Sequence, residues 1–379
     1  MLANRTQPRS KTVIRTLLAA SLIVGLAGCG GTPTSGSATG DDSGETNLDK
    51  ISALPLEEQY DEAVKLAQEE GEVTVYGSIT PRVFDILKEQ FTAEFGIKVN
   101  DFRGKPEAIQ QRVMQEADAG RPIADVIDTN FEQMVGLAEE GLLVRYEGPL
   151  LSEVDEAGKF QGWVATRFDL LMPAWNTDII KPDEAPQSWE DLADPRFDGR
   201  MTLDNADHEW YGGLTLHWLE QGKSQSEIDD LWEGIASGTT TTQGHSTMAE
   251  LLSAGQTGMD AMNYSYLIDL AAEKGAPVTY RNSDGTAPIT AFMLPFGIGS
   301  LVDSPNSAAG WLFTHWMLSE DGGQAVFADS AVVPSTAVEG YPILDGVTVM
   351  PFPAYEVHEE TVRFAEEFDA LLRGVPSAG

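Results

Sequence analysis

The side chains of this chain that could bind a small solute fall mostly in short segments that follow apolar runs. They offer phenols, imidazoles, an indole, a guanidinium, an amide, hydroxyls and a carboxylate, which are groups that recognise small polar or charged molecules. These candidates are Tyr76, Ser78, Arg103, Asn130, Trp175, Asp207, His208, His245, Ser246, Tyr264 and Tyr266. The chain shows no nucleophile elbow, P-loop or zinc-type histidine spacing, and its five histidines are scattered. The pattern therefore predicts a binding protein rather than an enzyme.

Several of these groups suit a small anion. Arg103 can make charge-assisted hydrogen bonds, and Ser78, Asn130 and Ser246 can add neutral ones. Backbone N–H groups at helix N-termini also favour negative charge. An aromatic side chain such as Trp175 could cover an apolar part of the ligand. A phosphonate, a phosphate ester or a carboxylate would fit this set.

Alternating strands and helices must position these residues. An apolar strand at 71–76 precedes a helix that begins at Pro81 and ends before Gly96. The order then repeats, with a strand at 97–102 and a helix at 106–119. Such alternation requires crossover connections and a mostly parallel sheet. Loops at the carboxyl ends of parallel strands meet in one crevice, so we expect the candidates to converge there.

The N-terminus has the features of an export signal. Four basic residues precede an apolar run at 17–27 that is too short to span a bilayer. The run ends in Leu26-Ala27-Gly28-Cys29, and Cys29 is the only cysteine. This sequence resembles the bacterial lipobox, where the signal is cut before a cysteine whose thiol is acylated. We therefore predict a lipoprotein signal peptide at 1–28, and a lipidated Cys29 with a flexible tether over 29–55.

The charge of the chain argues against two kinds of partner. It has 24 lysines and arginines against 60 aspartates and glutamates, for a net charge of −36. Nucleic-acid binding requires a basic surface, and so does electrostatic docking on anionic lipid. We therefore expect no nucleic-acid partner, and membrane contact only through the lipid anchor.

A series of short segments resembles a known family. The segments are 73–78, Ala124-Asp125-Val126, Gly141-Leu142-Leu143, Trp175-Asn176-Thr177, 188–192, Asn263-Tyr264, 274–278 and Leu318-Ser319-Glu320. Their order and spacing resemble the periplasmic binding proteins of ATP-driven ABC importers. The resemblance is to the ferric-iron-binding group, which also holds relatives for phosphonates, sugar phosphates and thiamine.

The resemblance implies an α/β fold of two lobes, each a mostly parallel sheet flanked by helices, joined by a two-strand hinge. Residues 70–172 plus 292–379 would form lobe 1, and residues 173–291 would form lobe 2. The ligand would lie in the cleft between them and close it by a hinge motion that an importer permease recognises. The resemblance also implies an extracytoplasmic monomer that carries a transported ligand and no cofactor.

Two ligands remain open under this resemblance: ferric ion, which the family's iron-binding members favour, and a small organic anion as the alternative. The iron-binding relatives hold ferric ion with tyrosine phenolates, often an adjacent pair at the start of a helix where this chain has Tyr264-Ser265-Tyr266. We expect the intervening serine to point the two phenols in different directions. Three other family positions also differ. Where the family often has a histidine, this chain has the loop 77–80, which contains none. Asn130 stands where the family often has a glutamate, and Trp175 stands where it has a further tyrosine.

In the iron hypothesis, Tyr264 and Tyr266 are the candidate metal ligands. Exogenous anions would be held by His245, Ser246 and the loop at Asp207. In the rival hypothesis the cleft binds a small organic anion. A ligand-presenting sensor module is the alternative class, because the same fold can present a ligand to a receptor.

The lipobox predicts the fate of a Cys29→Ser variant. The variant should fold but leave the membrane fraction, because an acyl chain contributes roughly 0.8 kcal/mol of membrane affinity per buried CH₂. Cell fractionation and immunoblotting would measure the change. A variant that stays with the membranes would contradict the lipobox interpretation.

Overall fold

The computed structural model describes residues 45–339 and 344–373. The predicted signal peptide, Cys29 and the start of the tether lie outside the described residues. The strands are β1 Glu72–Gly77, β2 Lys98–Arg103, β3 Val126–Asn130, β4 Leu143–Val144, β5 Val164–Asn176, β6 Met201–Asp204, β7 Thr239–Thr242, β8 Met259–Tyr264, β9 Val278–Thr279, β10 Ala291–Leu301, β11 Val333–Pro334 and β12 Val349–Pro351. The helices are α1 Asn47–Ser52, α2 Leu56–Glu70, α3 Pro81–Phe95, α4 Pro106–Asp118, α5 Phe131–Glu139, α6 His208–Glu220, α7 Gln225–Ser237, α8 His245–Ser253, α9 Ser265–Glu273, α10 Ser307–Leu318, α11 Ala325–Asp329, α12 Ala354–Glu359 and α13 Thr361–Leu372.

The main strands form one sheet in the order β2-β1-β3-β10-β5-β8-β6-β7. Two parallel groups, β2-β1-β3 and β8-β6-β7, lie on either side of the central pair. The two central strands, β10 and β5, run antiparallel to each other and to the strand beside each of them. Each parallel group is the sheet of one lobe, and the central pair connects the lobes. The predicted fold class is therefore confirmed.

The register of the central pair brings the two parallel groups together end to end. Asn130, the last residue of β3, lies beside Phe296, which pairs with Arg167 of β5. Tyr264, the last residue of β8, lies beside Leu171 of the same strand. The two ends are therefore about 13 Å apart along β5, at about 3.3 Å per residue. Both lobes direct their strand-ending loops at this one stretch of β5.

The close pairing of β5 with β10 depends on a glycine. The register shifts between Phe296 and Gly297, and a Cβ added at Gly297 would overlap the Trp163 ring and the Val164 carbonyl oxygen. Trp163 is fully buried and stacks on Phe160 with 4.0 Å between ring centroids. Only glycine lets the central strands approach this packed indole.

The helices of lobe 1 follow the predicted pattern. In α3, Phe84, Leu87 and Phe91 recur at helical spacing and are buried against the sheet. Pro81 occupies the first turn, and Gly96 ends the helix with a φ of 72°. This helix confirms the prediction in both its ends and its buried face.

The structure corrects the end of the predicted tether. Residues 47–52 form α1, and the Thr46 side chain and the Asp49 carboxylate cap its first turn reciprocally. Ile51 is fully buried in the core of lobe 1. Local capping and one buried side chain therefore fix a segment whose composition had suggested flexibility.

The C-terminal residues do not stay with lobe 1. Helix α12 contacts α5 and α6, while α13 packs against α6 and α7, which connect β6 to β7 of the second parallel group. Phe364 and Phe368 of α13 lie against Tyr211 of α6. The predicted boundaries placed all of 292–379 in lobe 1, so the described part of this tail crosses between the lobes. The lobe boundaries otherwise stay a prediction.

A buried ion pair joins β5 to β3 near the lobe junction. Arg167 donates to Asp128 over 2.7 Å, and the two side chains are 8% and 0% exposed. Thr166 also donates to this carboxylate. The Arg167 guanidinium lies over the Phe296 ring at 4.9 Å. Because both charges are desolvated, each is held by its partner, and removal of one would leave the other uncompensated.

A partly buried histidine gives lobe 1 a pH-dependent stability. The ring of His315 stacks on Trp311, and its Nδ1 lies 2.7 Å from the Tyr146 hydroxyl. Burial lowers the pKa of His315 to about 4, from 6.5. The folded state therefore favours neutral imidazole. Its contribution is complete above pH 6.5 and is lost as the pH falls towards 4.

The corresponding variant is His315→Gln, which keeps a hydrogen-bonding group but does not titrate. Wild type should lose up to about 3 kcal/mol more stability than the variant between pH 7 and pH 4, since each pKa unit corresponds to 1.36 kcal/mol. Urea unfolding at several pH values would measure this difference. Parallel pH profiles for the two proteins would contradict the assignment.

Candidate functional site

The tyrosine pair lies where β8 passes into α9. Tyr264 is the last residue of β8 and precedes the first turn of α9, with extended dihedrals (φ −80°, ψ 129°). The rings of Tyr264 and Tyr266 stack with 5.9 Å between centroids and 14° between planes. The expectation that Ser265 would separate the two phenols is therefore wrong. At a strand-to-helix junction, alternate residues still point to one side, as they do in a strand.

His245 lies directly against this pair. It begins α8 after the left-handed Gly244, and its ring centroid is 4.4 Å from that of Tyr264. Its Nε2 lies 3.0 Å from Oδ1 of Asp207, in the loop between β6 and α6. Asp207 is 7% exposed, and its Oδ2 is buried without a hydrogen-bond partner. Loops from three successive strand ends thus meet here, as the parallel order predicted.

Buried carboxylates surround the imidazole. Asp204 is already used by the backbone, since it accepts from the N–H groups of Ala206 and Gly244. Burial raises the pKa of Asp260 to about 7. Burial of the imidazole lowers the pKa of His245, but the charges of Asp207, Asp204 and Asp260 outweigh burial, so this pKa lies above its usual value. His245 therefore carries the compensating charge of an acidic cluster.

The phenols stay protonated when no cation is present. Burial raises the pKa of Tyr264 well above its usual value, and the charges of Asp207, Asp169 and Glu209 add to the effect. Burial and Asp169 likewise raise the pKa of Tyr266. Asp169 of β5 lies between the two strand ends, and burial raises its own pKa to about 6. A bound, highly charged cation would lower all of these raised pKa values and displace the protons.

The candidates of lobe 1 lie at the ends of β1, β2 and β3. Ser78 shares a 3.0 Å hydrogen bond with Thr129. Asn130 precedes α5, and its side-chain oxygen is buried without a partner. Arg103 donates through Nη2 to the carbonyl oxygen of Ile79, while its Nε is buried without a partner. These residues belong to the end of the lobe 1 sheet and have no contact with the tyrosine pair among the described hydrogen bonds.

Three candidate residues lie in surroundings that the sequence did not predict. Tyr76 is 1% exposed and donates to Glu116 of α4 over 2.7 Å, so it packs the sheet onto a helix. Trp175 is 2% exposed in the hydrophobic core. Ser246 is exposed within the first turn of α8, because Gly244 rather than Ser246 precedes the helix. Strand alternation turns the first two inward, away from the loop ends.

Two acidic residues at the lobe junction, Glu132 and Glu209, were not identified from the sequence. Ligand atoms of Glu132, His208 and Glu209 lie within 4.8 Å of one another. The ring of His208 also lies 3.0 Å from the carbonyl oxygen of Ala206. Both glutamates lie in the first turn of a helix that follows a strand. Acidic residues in the first turn of a helix are usually explained by the helix dipole. Nothing in the sequence therefore indicated that these two glutamates lie close together. Asp169 was missed too, although it is the only acidic residue in β5.

The fold and the convergence of polar loops on its centre define a two-lobed solute-binding protein. A family model described as bacterial extracellular solute-binding protein matches residues 87–339. The chain therefore belongs to this family, and it acts outside the cytoplasm. Iron uptake protein A1 of Synechocystis is a relative, 24% identical over an alignment of 295 residues that covers 74% of this chain and 78% of the relative.

Solved structures share the fold. A Trichodesmium protein described as IdiA (FutA) in complex with iron and citrate ligands matches with a TM-score of 0.66 and 18% identity, over 79% of this chain and 99% of its own. AfuA from Actinobacillus pleuropneumoniae, with exogenous fructose-6-phosphate bound, matches with a TM-score of 0.64 and 19% identity, over 80% of this chain and 99% of its own.

These comparisons confirm the main functional expectation. The chain is a solute-binding protein related to ferric-iron-binding proteins, and its relatives are not enzymes. They bind their ligand as cargo rather than as a cofactor. Across residues 45–339 and 344–373, no helix is both long enough and apolar enough to cross a membrane.

The acidic cluster predicts the behaviour of His245 in an Asp207→Asn variant. The pKa of His245 should fall, because burial still opposes its charge while the nearest carboxylate is gone. Titration of the ring signals by NMR would measure the change, with the distant His217 as an internal reference. An unchanged pKa for His245 would show that Asp207 does not hold its proton.

Proposed function

We propose that this protein captures ferric iron between its lobes and delivers it to the permease of an ABC importer. The observation that carries this proposal is the stacked pair of phenols, Tyr264 and Tyr266, beside His245 and the buried carboxylates. Ferric ion is a hard, highly charged cation that prefers anionic oxygen. Phenolate and carboxylate oxygens supply such ligands once the metal has displaced their protons.

The charge at the junction favours a cation over an anion. Asp169, Asp207 and Glu209 all act on Tyr264 as negative charges. The positive charge of Arg167 is already balanced by Asp128. An organic anion placed against the phenols would meet these carboxylates at short range, where the low dielectric strengthens repulsion. A relative named as an iron uptake protein supports the same ligand.

The alternative ligand is a small organic anion such as a sugar phosphate. It rests on Arg103, whose Nε is buried without a partner, and on the structural neighbour with fructose-6-phosphate. Ser78 and Asn130 lie at neighbouring strand ends and could add hydrogen bonds. This site would occupy the end of the lobe 1 sheet rather than the tyrosine pair.

Delivery follows from the connection between the lobes. A cation held by groups from both sides would favour a closed arrangement about β5 and β10, and the permease would recognise that form. Acylation of Cys29 would keep the protein at the outer face of the cell membrane, near its importer. The signal segment and the lone cysteine support this anchoring.

The iron hypothesis predicts a coloured complex. Ferric nitrilotriacetate added to purified protein should produce a visible phenolate-to-iron charge-transfer band and release protons. Affinity should fall with decreasing pH, because protons compete for the raised-pKa phenols. Tyr264→Phe should weaken the band and lower affinity by more than the 10–100-fold that loss of an outer-shell partner costs. Replacement of both Tyr264 and Tyr266 by phenylalanine should abolish the band, because no phenolate ligand then remains. Absorbance titration would measure both.

Tyr60→Phe is the matched control, since it removes a phenol from α2, outside the junction. It should leave the band unchanged. A colourless wild type whose melting temperature does not respond to ferric nitrilotriacetate would contradict the iron hypothesis. Stabilisation by fructose 6-phosphate that is lost in Arg103→Ala would favour the organic anion.

A further inference from the structure

The first turns of two helices from different lobes meet at the junction. Glu132 is the second residue of α5, which follows β3 of lobe 1. His208 and Glu209 begin α6, which follows β6 of the other lobe. Their ligand atoms lie within 4.8 Å of one another although they come from opposite parallel groups of the sheet. This cluster therefore bridges the space between the lobes.

The bridge is continuous with the tyrosine site. Asp207 immediately precedes His208, and its Oδ1 is occupied by the imidazole of His245. Its Oδ2 remains, buried and without a partner, on a side chain that is 7% exposed. Through the imidazole of His245, whose ring centroid is 4.4 Å from that of Tyr264, Asp207 adjoins the phenols. One acidic site thus extends from the phenols to Glu132.

The approach of Glu132 to Glu209 needs a positive charge or a proton between them. One carboxylate oxygen of each lies within 4.8 Å of the other. Thr361 of α13 donates to Glu132 over 3.2 Å but brings no charge. Two carboxylates held this close are a favourable ligand pair for a hard cation, which takes oxygens from both.

The same geometry argues against an exogenous anion in the loop at Asp207. The sequence had suggested that His245, Ser246 and this loop could hold one. Instead, His245 is paired with Asp207, and Ser246 is exposed. An anion placed there would face the unpartnered carboxylate oxygen of Asp207. The position therefore already contains a negative charge supplied by the chain itself.

We propose that Glu132 from lobe 1, with Glu209 and Asp207 from lobe 2, completes the ferric site with the chain's own carboxylates, so that no exogenous anion is needed. This inference rests on the proposed function. Glu132 is the group through which lobe 1 contacts the cargo, and His208 lies beside it as a further ligand. Binding then joins the lobes directly, because the ligands come from both of them.

The test uses the full-length chain and ferrous chloride that air oxidises to ferric ion in chloride buffer, with and without added citrate, so that no chelating carboxylate is present unless citrate is added. Wild type should bind iron and show the charge-transfer band in both buffers, because its own carboxylates take the place of the anion. Glu132→Gln and Glu209→Gln are isosteric, and each should lower affinity about 10–100-fold. Both should keep the charge-transfer band, because the phenolates remain. Added citrate should restore part of the affinity of Glu132→Gln by replacing the lost carboxylate.

Glu139→Gln is the matched control, because Glu139 lies exposed at the other end of α5. It should behave as wild type, and the melting temperatures of all metal-free variants would check their folding. Wild-type affinity in both junction variants, or binding by wild type only with citrate, would overturn this inference. If either occurs while replacement of both Tyr264 and Tyr266 by phenylalanine still abolishes the band, the proposed function stands. If wild type shows no band in either buffer, the proposed function itself fails.

Discussion

The antiparallel pairing of β5 with β10 is the contact on which both lobes depend. Strand β10 carries hydrogen bonds to β3 of lobe 1, and β5 carries hydrogen bonds to β8 of the other lobe. Because β3 and β8 approach β5 from opposite directions, their carboxyl ends converge within four residues of one strand. The site follows from this register, since every loop that ends a parallel strand is directed at the same stretch. Gly297 permits the close pairing by leaving room for Trp163.

The second governing factor is the concentration of negative charge in a partly dehydrated space. Asp169, Asp207 and Asp260 have raised pKa values chiefly because burial disfavours their charged forms. Such a cluster costs folding free energy unless protons or a cation neutralise it. His245 supplies one positive charge from the protein. The remaining negative charge is what a small, highly charged cation would neutralise. The same negative charge would repel an anion of similar size, which is a source of selectivity.

The elements that the sequence predicted correctly are those with strong local signals. In α3, the proline, the spacing of phenylalanines and the closing glycine all act within one segment, and the structure agrees. Capping also acts locally at Thr46, yet the surrounding composition concealed it. The orientation of Tyr266 was missed because it depends on where β8 stops. One residue of shift in that boundary changes which side chains share a face.

The sequence by itself determined the alternation of strands and helices, the family resemblance, the acidic character and the residues Tyr264, His245 and Asp207 of the candidate site. Those properties follow from residue type and short-range spacing. Only the tertiary structure decided that Glu132 meets Glu209, that Tyr76 and Trp175 face the core, and that α13 packs on the second lobe. These facts depend on the register between strands distant in sequence. No local pattern encodes that register, because it is set by how the whole sheet buries its side chains.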